Sequence, residues 1–362
     1  MSFDDIWRVA DARRPGYVAA VRVRGHVEIH AAGRTAVEPD SPPMRTDTLF
    51  RIASITKPMG GVLTLSLVED GVVSLDDEVA QWAPELESPR VLRDPAGPLE
   101  DTVPAVRPVT IRHLLTLTSG WGVVIEPTPL QAAMFERDVF PSPIGHSIAG
   151  DEFMARVGAL PLLFQPGEGW QYETSMNLLG IVLERATGRS LGELMAERIF
   201  EPLKMRDTAF VAADPARLAA AYDSSLELID PPDGKFAHPP GFEQLSGGLV
   251  SSAGDVLRFY SGMADGELLS DASRAALTSD ALTAQQRAAA PAAFLPSFAS
   301  WGLGTGVIPE TGAWGWTGGS GTTASVDPSH DTVAVLLTQK AMGGPDDGFD
   351  DFTAAVSAAA LV

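Results

Sequence analysis

Residues 50–61, Phe50-Arg51-Ile52-Ala53-Ser54-Ile55-Thr56-Lys57-Pro58-Met59-Gly60-Gly61, begin the most constrained stretch of this 362-residue chain. Ile55, Met59, Val62, Leu63, Leu65 and Val68 follow at spacings that suit a helix buried nearly all round. Gly71 reads as its stop. Pro58 lacks an N–H and would clash with a full preceding turn, so the helix starts close to Ser54. Residues i and i+3 share a helix face, which points Ser54 and Lys57 the same way at a helix N-terminus. That geometry suits a serine activated by a lysine. The only other lysines are Lys204, Lys235 and Lys340. An ammonium at an apolar helix start costs heavily unless paired or neutral. The competing reading is a surface lysine snorkelling from the helix end.

Composition sets outer limits. A chain this long favours two subdomains over one simple core. Hydrophobic residues at 45% and charged residues at 20% fit an ordinary globular protein. The net charge of −21 repels phosphate backbones and anionic lipids, so neither nucleic acid nor membrane is an expected partner. There is no cysteine, which excludes disulfides, thiol catalysis and zinc–thiolate sites. Residues 1–7 have neither the basic nor the apolar region of a secretory signal, and no run reaches a membrane span; the expected location is the cytoplasm. His26, His30, His113, His146, His238 and His330 are scattered, without a metal-binding spacing, so no metal and no cofactor are expected.

Along the chain, residues 3–12 read as a short amphipathic helix. Residues 17–24 and 27–30 alternate around Gly25 and predict a hairpin with one buried face. Residues 33–48 and 85–110 read as loop, 111–117 as a short helix, and 121–150 as a long cap or lid. Helices are predicted over 151–159, 176–186, 191–199 and 252–263, the last capped by Ser251 or Ser252. Residues 205–245 read mostly as loop. Residues 301–307, 312–317, 322–326 and 332–338 are short, β-branched or aromatic, and divided by turns, as in an antiparallel meander. Residues 349–361 close as a helix. Strands at both ends and helices between predict an α/β fold of the α+β type. Residues 1–72 and 290–362 build an antiparallel sheet flanked by helices; residues 73–289 form an inserted, mostly helical domain with lid-like loops. The site belongs where the two meet.

Two further stretches carry chemistry. Tyr172-Glu173-Thr174 follows a Pro-Gly turn and precedes a helix. Trp316-Thr317-Gly318-Gly319-Ser320-Gly321-Thr322 lies between two predicted strands, where adjacent glycines let a ligand approach backbone N–H donors. Singly, the tyrosine reads as a half-buried core aromatic and the glycines as a hairpin turn.

Together the three stretches resemble the serine β-lactamase and penicillin-binding-protein superfamily, in its class C-like branch, closest to the family VIII carboxylesterases. Ser54-Ile55-Thr56-Lys57 matches the Ser-x-x-Lys motif, Tyr172-Glu173-Thr174 the tyrosine motif, and Trp316-Thr317-Gly318 the Lys-Thr-Gly motif. Residues 49–57, 72–77, 110–120 and 247–255 also look typical, so the likeness spans most of the chain. The resemblance implies that Ser54 is the nucleophile and Lys57 the base that takes its proton. It implies that Tyr172 shares the base role and returns a proton to the leaving alcohol. The N–H groups of Ser54 and Gly319 would form the oxyanion hole.

Departures from the pattern bear on the substrate. Trp316 replaces the lysine that anchors a β-lactam carboxylate, and Thr174 replaces an amide that contacts acylamide side chains. Trp316, Thr317, Gly318, Thr174, Trp121 and Trp170 are the expected substrate-binding residues, the tryptophans forming an apolar acyl pocket, although tryptophans are more often plain core. The expected activity is hydrolysis of small carboxylic esters. The alternatives are acyl transfer from the same acyl-enzyme, or amide hydrolysis of the β-lactamase or D-aminopeptidase type. Gly145-His146-Ser147-Ile148-Ala149 is a near miss to a Gly-x-Ser-x-Gly elbow, but no apolar strand precedes it, and it reads as incidental. A small-molecule ester is the only partner expected.

Overall fold

The computed structural model describes residues 3–11, 14–344 and 347–361. Helix α1 (Phe3–Asp11) buries Ile6, Trp7 and Ala10 on one face. Strands β1 (Gly16–Val23) and β2 (His26–Gly33) form the predicted hairpin. Arg24 and Gly25 both take positive φ, +48° and +80°, which matches the turn twist that two-residue hairpins prefer. The short strand β3 (Leu49–Arg51) leads into one 3₁₀ turn, Ala53–Ile55, and then α2 (Thr56–Glu69), which is buried along most of its length.

The middle of the chain is mainly helical. A small hairpin, β4 (Arg90–Leu92) with β5 (Thr102–Pro104), is followed by α3 (Ile111–Leu115), α4 (Pro129–Glu136) and α5 (Gly150–Gly158). Helices α6 (Thr174–Thr187) and α7 (Leu191–Met195) come next; a π turn, Ala196–Phe200, extends α7. A two-strand ribbon, β6 (Ala221–Tyr222) with β7 (Leu228–Asp230), precedes β8 (Val250–Ser252), which pairs with β3. Helix α8 (Ala253–Asp265) is capped by Ser252, whose side chain accepts from the Asp255 N–H. Helices α9 (Asp271–Thr278) and α10 (Ala284–Ala289) complete this part.

Five strands return to the hairpin: β9 (Ser300–Trp301), β10 (Gly306–Ile308), β11 (Ala313–Gly318), β12 (Thr322–Asp327) and β13 (Thr332–Thr338). The sheet order is β2-β1-β13-β12-β11-β10-β9, antiparallel throughout. Tyr17 lies opposite Thr338 and Val23 opposite Thr332, so the sheet is built from both ends of the chain. Helix α11 (Phe349–Ala359) packs with α1 on one face, over Tyr17, Ala19, Val21 and Leu336. The main core lies on the other face, with Val18 and Ala20.

Several expectations need correction. Strand β1 is buried on both faces, because α1 and α11 cover one side of it and α8 with the main core covers the other; Arg22, which reads as a solvent position, donates to Asp265 of α8 at 2.6 Å. Residues 301–307 are not one strand: residues 302–305 turn between β9 and β10. A Cβ on Gly302 would sit 2.1 Å from the Leu277 carbonyl oxygen, so the turn closes tightly on the end of α9. Residues 121–150 contain α4, and residues 85–110 contain the β4–β5 hairpin. Helix α8, from the 73–289 segment, packs on β1, β12 and β13. Among the described residues, no helix is long and apolar enough to cross a membrane.

Candidate active site

Ser54 sits in the 3₁₀ turn between β3 and α2. The approach to it is held on three sides. Ile52 N–H donates to the Leu249 carbonyl at 3.0 Å, Thr322 Oγ1 donates to the Ile52 carbonyl at 2.9 Å, and Ser320 Oγ donates to the Arg51 carbonyl at 2.6 Å. The Arg51 side chain is buried and paired with Asp230 at 2.6 Å. Burial pulls its guanidinium below the ordinary range and Asp230 pushes back. Ala53 has φ +45°, a region that residues with a Cβ adopt at a cost. The strained residue therefore stands directly before the serine.

Lys57, the second residue of α2 and fully buried, places Nζ 2.9 Å from Ser54 Oγ. The same nitrogen donates to the Ser246 carbonyl at 2.6 Å and lies 4.6 Å from the centre of the Tyr172 ring. Burial on all sides and three named neighbours are inconsistent with a snorkelling surface lysine. Tyr172 follows the turn at Gly167, and its carbonyl accepts from Val123 N–H at 2.8 Å. Its ring stacks on Phe294, with centroids 4.7 Å apart. Its hydroxyl accepts from Trp316 Nε1 at 2.6 Å. Glu173, the next residue, takes φ +84° as α6 begins.

The end of β11 closes the arrangement. Gly318 has no room for a side chain: a Cβ would lie 2.3 Å from Thr322 Oγ1 and 2.6 Å from the Ile52 carbonyl. Gly319 faces open space and lines the same cavity as Ser54. Its carbonyl accepts from Met342 N–H at 3.0 Å, which fixes the peptide.

The cavity has a volume of about 470 Å³. Ser54, Tyr172, Glu173, Ser246 and Gly319 line one part; Phe210, Phe236, Phe242, Phe294 and residues 141–147 supply much of the rest. The tryptophans expected to shape it do not line it. Trp170 is fully buried, stacked beside Tyr172 and edge-on to Trp301. Trp121 is buried and donates to the Leu160 carbonyl at 3.3 Å. Trp316 spends its one donor on Tyr172. Thr174 is buried at the start of α6, and Thr317 pairs with Thr323 inside the sheet. These side chains support the site from behind.

The cavity wall contains residues that the motifs do not reveal. His146 and Ser147, from the near-miss elbow, lie on it. Ser147 Oγ accepts from Lys235 Nζ at 3.0 Å, and the His146 ring packs against Phe153 and Phe242. Burial holds the His146 imidazole below its ordinary 6.5, with Glu173 and Asp138 opposing. The signal for Phe236, Phe242 and Lys235 was weak, because they lie in irregular chain with no period to read.

A serine and a buried lysine at a helix start, beside the end of β11 and over one cavity, fit a serine hydrolase. The comparisons agree. The β-lactamase family pattern matches residues 4–359. An uncharacterized protein of Mycobacterium tuberculosis is 34% identical over 332 residues, 82% of this chain and 79% of that protein. Esterase EstB of Burkholderia gladioli is 37% identical over 278 residues, 71% of this chain and 67% of EstB. Among solved structures, EstCE1, described as a hydrolase with promiscuous acyltransferase activity, superposes with a TM-score of 0.82 at 22% identity, covering 99% of this chain and 98% of that one. The chain belongs to the β-lactamase family, within the serine β-lactamase and penicillin-binding-protein superfamily.

Proposed function

We propose that the protein is a carboxylesterase that cleaves small carboxylic esters through an acyl-enzyme on Ser54. The observation that carries this reading is the 2.9 Å approach of Lys57 Nζ to Ser54 Oγ at the edge of a largely apolar cavity. Lys57 takes the hydroxyl proton as Oγ bonds to the ester carbon. The N–H groups of Ser54 and Gly319 hold the oxyanion that forms. Tyr172 hands a proton to the alkoxide oxygen as the C–O bond breaks and alcohol leaves. Water then adds to the acyl carbon, giving up a proton to the same pair. Ser54 Oγ leaves with a proton, and the acid is released. The similarity to EstB supports the ester reading.

Acyl transfer is the second reading. A volume of about 470 Å³ falls within the range of sites that hold drug-sized ligands, more than a short acyl group needs. That leaves space for an alcohol that could take the place of water.

A fluorophosphonate probe tests the assignment, with the label located by peptide mapping. Ser54 should be labelled, and Ser54→Ala should lose both labelling and ester hydrolysis. Lys57→Arg should be nearly as inactive as Lys57→Ala, because arginine keeps its proton. Label on Ser147, or more than about a tenth of the activity surviving in Ser54→Ala, would overturn the reading.

A further inference from the structure

A lysine that acts as a base must present its lone pair to the serine and hold its N–H groups elsewhere. Lys57 has such a holder in the Ser246 carbonyl, 2.6 Å from Nζ. Gly247 and Gly248 follow Ser246, so the loop's own side chains do little to fix that peptide. Gly247 N–H ties that peptide to the Gln244 carbonyl at 3.2 Å, and Ser246 itself is held from its other side by a side chain outside the three motifs. Asn177 Oδ1 accepts from Ser246 N–H at 3.0 Å. Asn177 Nδ2 donates to Glu173 Oε1 at 3.3 Å.

Asn177 is fully buried on α6, among Met176, Leu178 and Leu179. A carboxamide in such surroundings is costly unless both of its ends are used. Here both are used, and both lead to the site. One end grips the N–H of Ser246, the residue whose carbonyl holds Lys57; the other grips the residue that follows Tyr172. Tyr172 lies two residues before the start of α6, so one helix bears on the tyrosine and, through Asn177, on the lysine's carbonyl partner.

Resting on the esterase reading, we propose that Asn177 is a positioning residue: by holding the Ser246 N–H it sets the residue whose carbonyl receives Lys57, so that Lys57 meets Ser54 in the orientation that accepts a proton, in register with Tyr172. It touches no substrate and acts only through Ser246 and Glu173. A side chain that served folding alone would affect stability and leave the chemistry of Ser54 unchanged.

The experiment compares wild type, Asn177→Leu and Asn177→Asp. Leucine keeps the bulk and removes both hydrogen bonds; aspartate keeps an acceptor for Ser246 N–H. The readouts are the rate of Ser54 phosphonylation across pH, kcat and KM for p-nitrophenyl butyrate, and the melting temperature. In Asn177→Leu, phosphonylation and kcat should fall about 10–100-fold, as expected for a displaced catalytic group. KM should stay within about twofold, and the acid limb of the pH profile should move. Asn177→Asp should recover part of the rate but not all of it, because its second oxygen faces the Glu173 carboxylate where the amide donated. A folded Asn177→Leu that labels at the wild-type rate with an unchanged pH profile would overturn the proposal. So would rates that track melting temperature equally in both variants. If Asn177→Leu does not fold, Asn177→Ser takes its place under the same criteria. A wild-type enzyme whose Ser54 is not labelled would refute the esterase reading itself, and the proposal with it. Labelled wild type with indifferent Asn177 variants refutes the proposal alone.

Discussion

Trp316 donates its indole N–H to the phenol oxygen of Tyr172 across 2.6 Å. The resemblance implies a lysine at this position of the third motif, and the chain has a neutral donor there instead. The indole is held edge-on by Trp301, with centroids 4.7 Å apart and planes at 90°. Accepting this bond orients the Tyr172 oxygen and leaves its own hydrogen to be given away. Trp316→Phe keeps a ring in the Trp301 contact and removes the donor. One neutral hydrogen bond is worth about 0.5–1.5 kcal/mol, so kcat for a p-nitrophenyl ester should drop roughly 2–10-fold with little change in KM. An unchanged kcat in a folded Trp316→Phe would show that the contact only packs.

Gly318 should tolerate substitution far less well than Gly319. A Cβ on Gly318 would meet Thr322 Oγ1 and the Ile52 carbonyl, the two groups whose bond steadies the approach to Ser54. Forcing atoms into such a space costs about 1–3 kcal/mol, and here the displacement falls on the turn that carries Ser54. Gly318→Ala should therefore lower both melting temperature and kcat. Gly319→Ala meets open space and keeps its N–H, so it should melt close to wild type. Equal melting losses in the two variants would contradict this account.

The parts of the site that were legible in sequence are those set by local geometry. Ser54 and Lys57 lie one helical turn apart, and Pro58 fixes where that turn begins, so their meeting needs no tertiary knowledge. The meander was readable because residues 313–338 carry short β-branched runs between turns. Trp121 and Trp170 were misplaced because nearness to a motif in sequence says nothing about which way a large ring packs; both turned into the core. The cavity wall over 141–147 was legible only as part of a lid over 121–150, and the wall over 235–242 not at all, since such chain has no period to read. Asn177 was hidden for another reason. One carboxamide in an apolar helix has no sequence signature until Ser246, 69 residues away, is seen against it.

Stability should fall as pH drops below neutrality. Burial holds His146 below its ordinary 6.5, and burial with the nearby Arg107 and Arg112 does the same for His113. In the unfolded chain both rings take a proton near 6.5, while the fold still holds them neutral. The unfolded state then binds more protons, so stability is full above about 6.5 and is lost as pH falls from there towards the lower folded values. Buried carboxyls with raised values, Glu184, Glu243 and Asp255, act in the opposite sense, so a difference measurement isolates the histidine. The melting temperature of His146→Phe should decline less between pH 7.5 and 5.5 than that of wild type. Parallel declines would show that His146 contributes nothing to the slope.

The enzyme should hydrolyse short activated esters much faster than β-lactams. A β-lactam carries a carboxylate beside its ring, and the family anchors it with the third-motif lysine. Trp316 supplies no charge there, and its single donor already serves Tyr172. The ammonium on the cavity wall belongs to Lys235, in the segment after β7 rather than at the end of β11. Losing a charge-assisted hydrogen bond is worth roughly 1.5–3 kcal/mol, or about one to two orders of magnitude in rate. The net charge of −21 adds a long-range penalty for anions. Neutral esters meet neither obstacle and would use the same Ser54 and Gly319 N–H groups. A panel of p-nitrophenyl esters from acetate upward, run beside nitrocefin, measures the ratio. Nitrocefin should turn over slowly or not at all, and a kcat/KM for it equal to that of the best ester would reverse the substrate assignment. Trp316→Lys should not rescue it simply by adding charge, because it also removes the donor to Tyr172; ester hydrolysis by this variant should fall at least as far as in Trp316→Phe.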